Sequence, residues 1–268
     1  MICDINTSAL LEVLDSLKRE HGKLITNSFR CFPSELDRIW RVIYNSKALI
    51  ILITDNGVIR IEFFATDITD LKGLVDELPT GEYDLEFLYR KENPYLSSFM
   101  SLGFELYKTM MRYCNYDIGR TLEENKLQLD VYRPLKDYVV LDQMQFLKIK
   151  HLLFDAFDPR ISHIPCDEDL HCFIDNGEFL GITIGDQLAT LLQRKLENRR
   201  FYINQVINTS EPIFVHSIMI DELEKYVKSG GKYVYSWIAS DNTASIRFHQ
   251  KYGLKPDLIM NDNMTISK

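Results

Sequence analysis

The chain lacks the features that would place it outside the cell or in a membrane. Its 268 residues include five cysteines, an odd number without a Cys-x-x-Cys pair, which favours reduced thiols over a disulfide framework. The longest apolar run, Ala48–Thr54, has the length of a strand, and the start of the chain has no basic segment of a secretory signal. These absences predict a cytoplasmic protein with no membrane partner.

The chain also lacks an excess of positive charge. Its formal net charge of −8 argues against nucleic acid as a partner and mildly favours an amine-bearing small molecule or peptide. Walker, Rossmann GxGxxG, GxSxG and HExxH motifs are missing. The segment from His163 to Cys172 holds two histidines and two cysteines, but their spacing fits no ordinary zinc finger, so no metal site is predicted.

What the chain does contain is one element order, present twice. The length favours two domains. In the first half, apolar periodicity predicts helices over Thr7–His21 and Phe32–Ile43, and Asp55-Asn56-Gly57 predicts a hairpin between two strands. A helix, a strand, a helix and a last strand follow. The second half predicts a strand, two helices, a three-strand meander, a helix over Pro212–Lys228, a strand, a helix and a strand.

This repetition indicates an internal duplication. We predict an α/β fold with two similar domains, residues 1–125 and residues 126–268, each a mostly antiparallel mixed sheet flanked by helices. Residues 121–136 form the predicted connection. The alternation of Leu127, Leu129 and Val131 predicts a strand within it.

The segment Trp237–Asp257, WIASDNTASIRFHQKYGLKPD, carries a resemblance to a known family. Ser245, His249 and Gly253-Leu254 follow Asn242 by three, seven and eleven to twelve residues. This spacing resembles the closing motif of the GNAT acyltransferase superfamily, which has Tyr where His249 stands and Phe where Leu254 stands. The order of meander, long helix and strand extends the resemblance from Asp142 to the end.

The first half resembles the family more weakly. It repeats the Gly-Phe exit at Gly103-Phe104, but Glu92 stands at the Asn offset and Phe99 at the Tyr offset. Because an apolar ring cannot transfer a proton, the first GNAT-like domain is expected to be non-catalytic. The resemblance implies that the second domain, residues 126–268, holds the acyl-CoA site of an N-acetyltransferase. An amine would attack the thioester of acetyl-CoA directly, in a monomer or a homodimer.

The resemblance also implies which residues hold acetyl-CoA. In this fold the strand before the Asn splays from its neighbour, and the thioester lies in the gap. The implied cofactor-binding residues are Val206, Ile207, Asn208, Ser210, Asn242, Ser245 and Phe248. His249 takes the place of the family's acid for the departing thiolate, although imidazole also suits a base.

The chain departs from the family at the phosphate turn. The family has glycines there, whereas this chain has the β-branched Ile213 and Val215, with Glu211 adding a negative charge. Ser210 and Asn242 are also ordinary helix-capping residues. A second hypothesis therefore stays open, in which the chain is a catalytically inactive GNAT-like module that binds a ligand or a protein.

Overall fold

The computed structural model describes residues 2–3, 7–27, 39–132, 138–197 and 199–268. The chain forms two compact units, the first made of residues 1–109 and 259–268 and the second of residues 110–258. This division differs from the predicted boundary between residues 125 and 126. Residues 110–125 lie in the second unit, and residues 259–268, which include most of the last strand, lie in the first unit.

The strands, in chain order, are β1 (Ile2–Cys3), β2 (Ile25–Thr26), β3 (Ile39–Tyr44), β4 (Ala48–Asp55), β5 (Val58–Ala65), β6 (Glu82–Arg90), β7 (Glu105–Asn115), β8 (Val139–Val140), β9 (Phe179–Ile184), β10 (Gln187–Glu197), β11 (Arg200–Asn208), β12 (Tyr233–Ala239) and β13 (Lys255–Ser267). The helices are α1 (Thr7–His21), α2 (Lys72–Asp76), α3 (Leu96–Ser101), α4 (Ile118–Glu124), α5 (Lys126–Leu129), α6 (Phe146–Ala156), α7 (Asp167–Asp175), α8 (Pro212–Lys228) and α9 (Thr243–Gln250). Among the described residues, no helix is both long enough and apolar enough to cross a membrane.

The two units have the same pattern of strand pairing. The first-unit sheet has the order β1-β3-β4-β5-β6-β13, with β2 paired to β5, and only β5 and β6 run parallel. The second-unit sheet has the order β7-β12-β11-β10-β9-β8, and only β11 and β12 run parallel. This repetition agrees with the predicted duplication and confirms the mostly antiparallel mixed sheets.

Apolar side chains from both faces of each sheet explain why the strands form. In β4 the side chains of Leu49, Ile51 and Ile53 pack on α1, and those of the alternating Ala48, Ile50 and Leu52 pack in the core on the other face. A strand covered on both faces reads as a continuous apolar run, as β4 does. In the second unit, α8 and α9 cover one face, called the α8 face, and α6 and α7 cover the other, called the α7 face.

Two local predictions are wrong. Residues 39–43, predicted as the end of a helix, lie in β3, which pairs antiparallel with β4; residues 32–38 of that predicted helix lie outside the described residues. Pairing with a neighbouring strand here overrides the helical spacing of the apolar residues. Residues 127–131, predicted as a strand, are helical: they lie in α5 and in the 3-10 turn that follows it. Leu129 is buried there, whereas Leu127 and Val131 are exposed.

Candidate active site

The parallel strands β11 and β12 separate part-way along the second-unit sheet. Their pairing runs from Arg200↔Tyr233 to Ile203↔Ser236 and ends there, although both strands continue. The buried Ser236 Oγ donates a hydrogen bond to the Ile203 carbonyl oxygen (2.9 Å) at the last paired position. The gap predicted beside the strand before Asn242 is therefore present, between residues 204–208 and residues 237–239.

A β-bulge at Asn204 lies at the start of this gap. On β10, Gln193 is opposite Gln205 but Arg194 is opposite Ile203, so Asn204 is the extra residue. Its Nδ2 donates to Gln193 Oε1 (2.9 Å). A bulge changes the face to which later side chains point. Accordingly Val206 packs on the α8 face, whereas Ile207 packs on the α7 face.

The turn between β11 and α8 is ordered by Asn208. Its Oδ1 accepts from Thr190 Oγ1 (2.7 Å), and its Nδ2 donates to the carbonyl oxygen of Ser210 (2.9 Å). The N-cap residue of α8 is Glu211, whose side chain makes no capping hydrogen bond, and Pro212 follows in the first turn. The N–H groups of this turn are therefore not covered by a capping side chain.

The two β-branched residues at the family's glycine positions differ in exposure. The side chain of Val215 is buried. Ile213 is half-buried. Where the family has glycines, this chain therefore has one buried and one half-buried β-branched side chain.

Asn242 is the N-cap of α9. Its Oδ1 accepts from the backbone N–H of Ser245 (3.0 Å), and the residue is exposed. The capping interpretation is thus confirmed. The amide Nδ2 is a donor on the solvent side of the same helix N-terminus, so a cap and a ligand contact are compatible.

His249 is buried, with 2% of its surface exposed. Its Nδ1 donates to the Ser245 carbonyl oxygen (2.7 Å), while its buried Nε2 has no hydrogen-bond partner among the described residues. Burial lowers the pKa of His249 to about 4, so the ring is neutral at pH 7. With its proton on Nδ1, the ring offers Nε2 as an acceptor. This geometry argues against the predicted role as an acid and favours the alternative role as an acceptor or base.

The other residues predicted to hold acetyl-CoA differ in burial and in the face of the sheet to which their side chains point. Phe248 is half-buried, packs with Val206 on the α8-face core and meets the His249 ring edge to face (5.1 Å between centroids). Ser245 is half-buried one turn before His249. Ile207 is directed into the opposite core, so only its backbone adjoins the gap.

The sequence analysis did not identify one buried polar residue at the start of β9. Glu178 precedes β9 and is buried, and its Oε2 has no hydrogen-bond partner among the described residues. Burial raises the pKa of its carboxyl group. An acidic residue directly before an apolar strand, after Gly177, is the only signal in the sequence, and it reads equally well as part of a turn.

Comparisons with known proteins identify the fold. No protein-family model and no curated protein sequence matches the chain. A solved tandem GNAT protein from the clavulanic acid biosynthesis pathway is 11% identical and has a TM-score of 0.58, with 100% of this chain and 98% of that chain covered. A GCN5-related N-acetyltransferase from Sphaerobacter thermophilus is 8% identical, with a TM-score of 0.57 and coverage of 100% and 95%.

A GCN5-related N-acetyltransferase from Kribbella flavida is 8% identical, with a TM-score of 0.54 and coverage of 99% of this chain and 71% of that chain. At such identities the likeness concerns the fold. It extends over both units. The chain therefore has the fold of a tandem GNAT protein.

Proposed function

We propose that the second unit is an N-acyltransferase that moves an acetyl group from acetyl-CoA to an amine. The observation that carries this proposal is the gap between β11 and β12, which opens beside the N-terminus of α8. The solved acetyltransferases that share the fold support it. The reaction is direct attack of the amine on the thioester, within residues 110–258.

The gap supplies three kinds of contact for acetyl-CoA. The backbone of Val206, Ile207 and Asn208 lies beyond the last pair with β12 and binds the pantetheine arm. The first turn of α8, next to Ser210, presents N–H groups and a positive dipole end to the diphosphate. Asn242, Ser245 and Phe248 on α9 complete the cofactor site.

His249 contributes an acceptor atom. Its neutral ring holds one proton on Nδ1 and leaves Nε2 to accept a hydrogen bond from a bound group. A buried nitrogen without a partner costs about 1–3 kcal/mol, which a ligand donor would recover. We place His249 as a hydrogen-bond acceptor, or a base, for the attacking amine.

A binding module without catalytic activity is the second candidate. The missing glycines of the phosphate turn and the full burial of His249 favour it. Such a module would bind a ligand in the same gap without transferring an acyl group. The enzyme binds acetyl-CoA and transfers its acyl group, whereas the module binds a ligand without turnover. A protein that binds no CoA would fit neither candidate.

Calorimetric titration with acetyl-CoA tests the proposal. We expect micromolar binding by the wild type and affinity lower by about tenfold in Asn242→Ala, since one hydrogen bond at the pantetheine would be lost. Asp142→Ala is the matched control. Asp142 caps the helical turn before α6 through the same kind of bond, to the N–H of Met144 (2.8 Å), so its loss costs about 1 kcal/mol of stability without changing affinity.

The outcomes separate the candidates. Binding followed by release of free CoA in the presence of an amine supports the enzyme. Binding without turnover against a broad amine panel supports the module. Absence of heat with acetyl-CoA, longer acyl-CoAs and free CoA contradicts the acyltransferase proposal.

A further inference from the structure

The first unit also has a gap beside its parallel pair of strands. The pairing of β5 with β6 ends at Ile61↔Leu85, although β5 continues to Ala65 and β6 to Arg90. On its other edge, β5 pairs with β4 along its whole length. The stretch of β5 beyond Ile61 therefore has one edge that β6 does not cover, as β11 has an edge beyond Ile203 that β12 does not cover.

The chain itself covers this edge of β5 with residues 25–27, which we call the strap. The strap begins with β2, which pairs antiparallel with β5 through Ile25↔Ala65 and Thr26↔Phe64. Because β4 holds the other edge of β5, β2 lies on the edge that faces the gap. In the described part of the second unit, no strand takes the corresponding place on β11 beyond its pairing with β12. The gap is therefore filled from within only in the first unit.

Two side chains of the strap hold it on β5. Asn27 Nδ2 donates to the Ile61 carbonyl oxygen, and Asn27 Oδ1 accepts from the Phe63 N–H (2.8 Å each). Thr26 Oγ1 donates to the Phe63 carbonyl oxygen (2.6 Å). The carboxamide of Asn27 thus bonds to β5 as a backbone amide of a neighbouring strand does. The polar backbone groups that a ligand in this gap could bind are therefore already paired.

The strap takes the place that the proposed function gives to the pantetheine arm in the second unit. Ile61 and Ile203 are matched positions, because each is the last residue of its strand that pairs with the next strand. The bulge of β11 at Asn204 has no counterpart in β5, whose pairing with β4 is unbroken. A regular strand edge readily accepts another strand. An amide-bearing ligand would therefore compete with the strap for the same atoms of β5.

We propose that residues 25–27 act as an autoinhibitory strap, which binds the β5 edge in place of a pantetheine arm and so closes the gap of the first unit. Loss of the Asn27 bonds frees the backbone of Ile61 and Phe63 for the amide groups of a ligand. That the opened gap takes pantetheine rests on the proposed function. The closure of the gap by the strap does not.

Amide exchange on the full chain, followed residue by residue by NMR, tests whether Asn27 holds the strap. In Asn27→Ala the Phe63 amide is expected to exchange about tenfold faster, because it loses its acceptor. Asn45→Ala is the matched control. Asn45 Oδ1 also accepts from backbone N–H groups, those of Lys47 and Ala48 (2.8 Å each), but in the turn between β3 and β4, so Phe63 exchange should stay unaltered. Equal Phe63 exchange in Asn27→Ala and the wild type would refute the strap.

Pantetheine tests whether the strap closes the gap. It carries the amide groups of the CoA arm without the diphosphate, which the carboxylates of Asp67 and Asp70 after β5 would repel. We expect pantetheine to shift the Ile61 and Phe63 signals of Asn27→Ala at concentrations at least about tenfold below any that affect the wild type. Asn27→Asp covers the case in which the alanine variant fails to fold, since it keeps the volume but places an oxygen against the Ile61 carbonyl oxygen. Equal pantetheine response of β5 in the wild type and the folded variants would overturn the closure.

The signals of β11 separate this inference from the proposed function. Pantetheine shifts at residues 204–208 report the gap of the second unit, and shifts at residues 61–65 report the gap of the first. Shifts at β5 in the Asn27 variants, without any at β11, would support the strap and contradict the pantetheine site of the second unit. Shifts at β11 alone, in the wild type and in the variants, would do the reverse.

Discussion

The two units differ at the turn that follows the first strand of the parallel pair, β5 in the first unit and β11 in the second. In the first unit this turn leads into a short 3-10 helix and α2, and Asp67 caps it by accepting from Thr69 N–H (2.9 Å). Asp70 closes the capping box on the Asp67 N–H (3.1 Å) and also accepts from the Thr66 hydroxyl. In the second unit Glu211 makes no such bond at the start of the much longer α8. In the first unit, carboxylates therefore pair with the N–H groups of this turn.

The same contrast holds at the position of His249. Phe99 in the first unit is fully buried and contacts the rings of Phe63, Phe87 and Phe104. His249 instead keeps an acceptor nitrogen without a partner. One topology thus supports a closed core in the first unit and a candidate site in the second. The difference lies in a few residues at a turn and on a helix, which agrees with the rule that fold alone does not set function.

The largest expected effect is a loss of stability of the first unit when β13, the last strand, is changed. Met264 and Ile266 on β13 are buried in the core of the first unit, so the double variant Met264→Ala, Ile266→Ala is expected to destabilise that unit by about 4 kcal/mol or more. Hydrogen exchange measured by mass spectrometry should rise in β4, β5 and β6. Met219→Ala with Ile220→Ala, two buried residues of α8, is the matched change in the second unit.

Loss of protection confined to β11 and β12 in the β13 variant would contradict the observed division. That result would restore the boundary between residues 125 and 126 that the sequence predicts.

The second-largest expected effect is a loss of stability of the second unit at acid pH. His216 and His249, both in the second unit, have pKa values lowered to about 4 by burial. In the unfolded chain a histidine has a pKa of about 6.5, so the unfolded state binds more protons between pH 6.5 and 4. Stability is therefore complete above pH 6.5 and falls as the pH drops. At pH 5 the loss is about 2 kcal/mol for each histidine.

Exchange protection at pH 5 should therefore fall in β11 and α8 before it falls in β4 and β5. In His249→Gln, the loss of unfolding free energy at pH 5 that the two histidines cause is expected to be half of that in the wild type. Earlier loss of protection in the first unit would show that these histidines do not set the acid stability.

The smallest expected effect tests the two helix N-termini directly. Glu211→Gln removes an exposed negative charge beside the first turn of α8, so acetyl-CoA affinity should rise about two- to fivefold at low salt and less at high salt. Asp67→Asn makes the same charge change in the first unit and should leave affinity unaltered. An equal rise in both variants would mean that the diphosphate is not at α8.

Much of the fold was predictable because local patterns and tertiary packing agree. The helix α1 has the predicted bounds, and the hairpin at Asn56-Gly57 joins β4 and β5 as the turn residues require. The start of α8 at Pro212 and the cap of α9 at Asn242 follow from capping chemistry. These features depend on residues close together in the chain.

The candidate site was predictable only in part. The closing motif indicated Asn242 and His249, but burial and the Nδ1 bond to Ser245 decide that Nε2 of His249 is an acceptor. Glu178 has no motif. It lies beside β10, where its carbonyl oxygen accepts from the Arg194 N–H, only because β9 and β10 pair in the observed register.

The sequence by itself determined the duplicated order of elements, the positions of most turns and caps, and the charge of the chain. Tertiary structure alone decided that β13 belongs to the first unit, that Asn204 is a bulge, and that β11 separates from β12 after Ile203. The physical reason is that strand partners and burial depend on residues far apart in the chain. Propensity and periodicity act over a few neighbours, whereas a sheet chooses each partner from the whole chain.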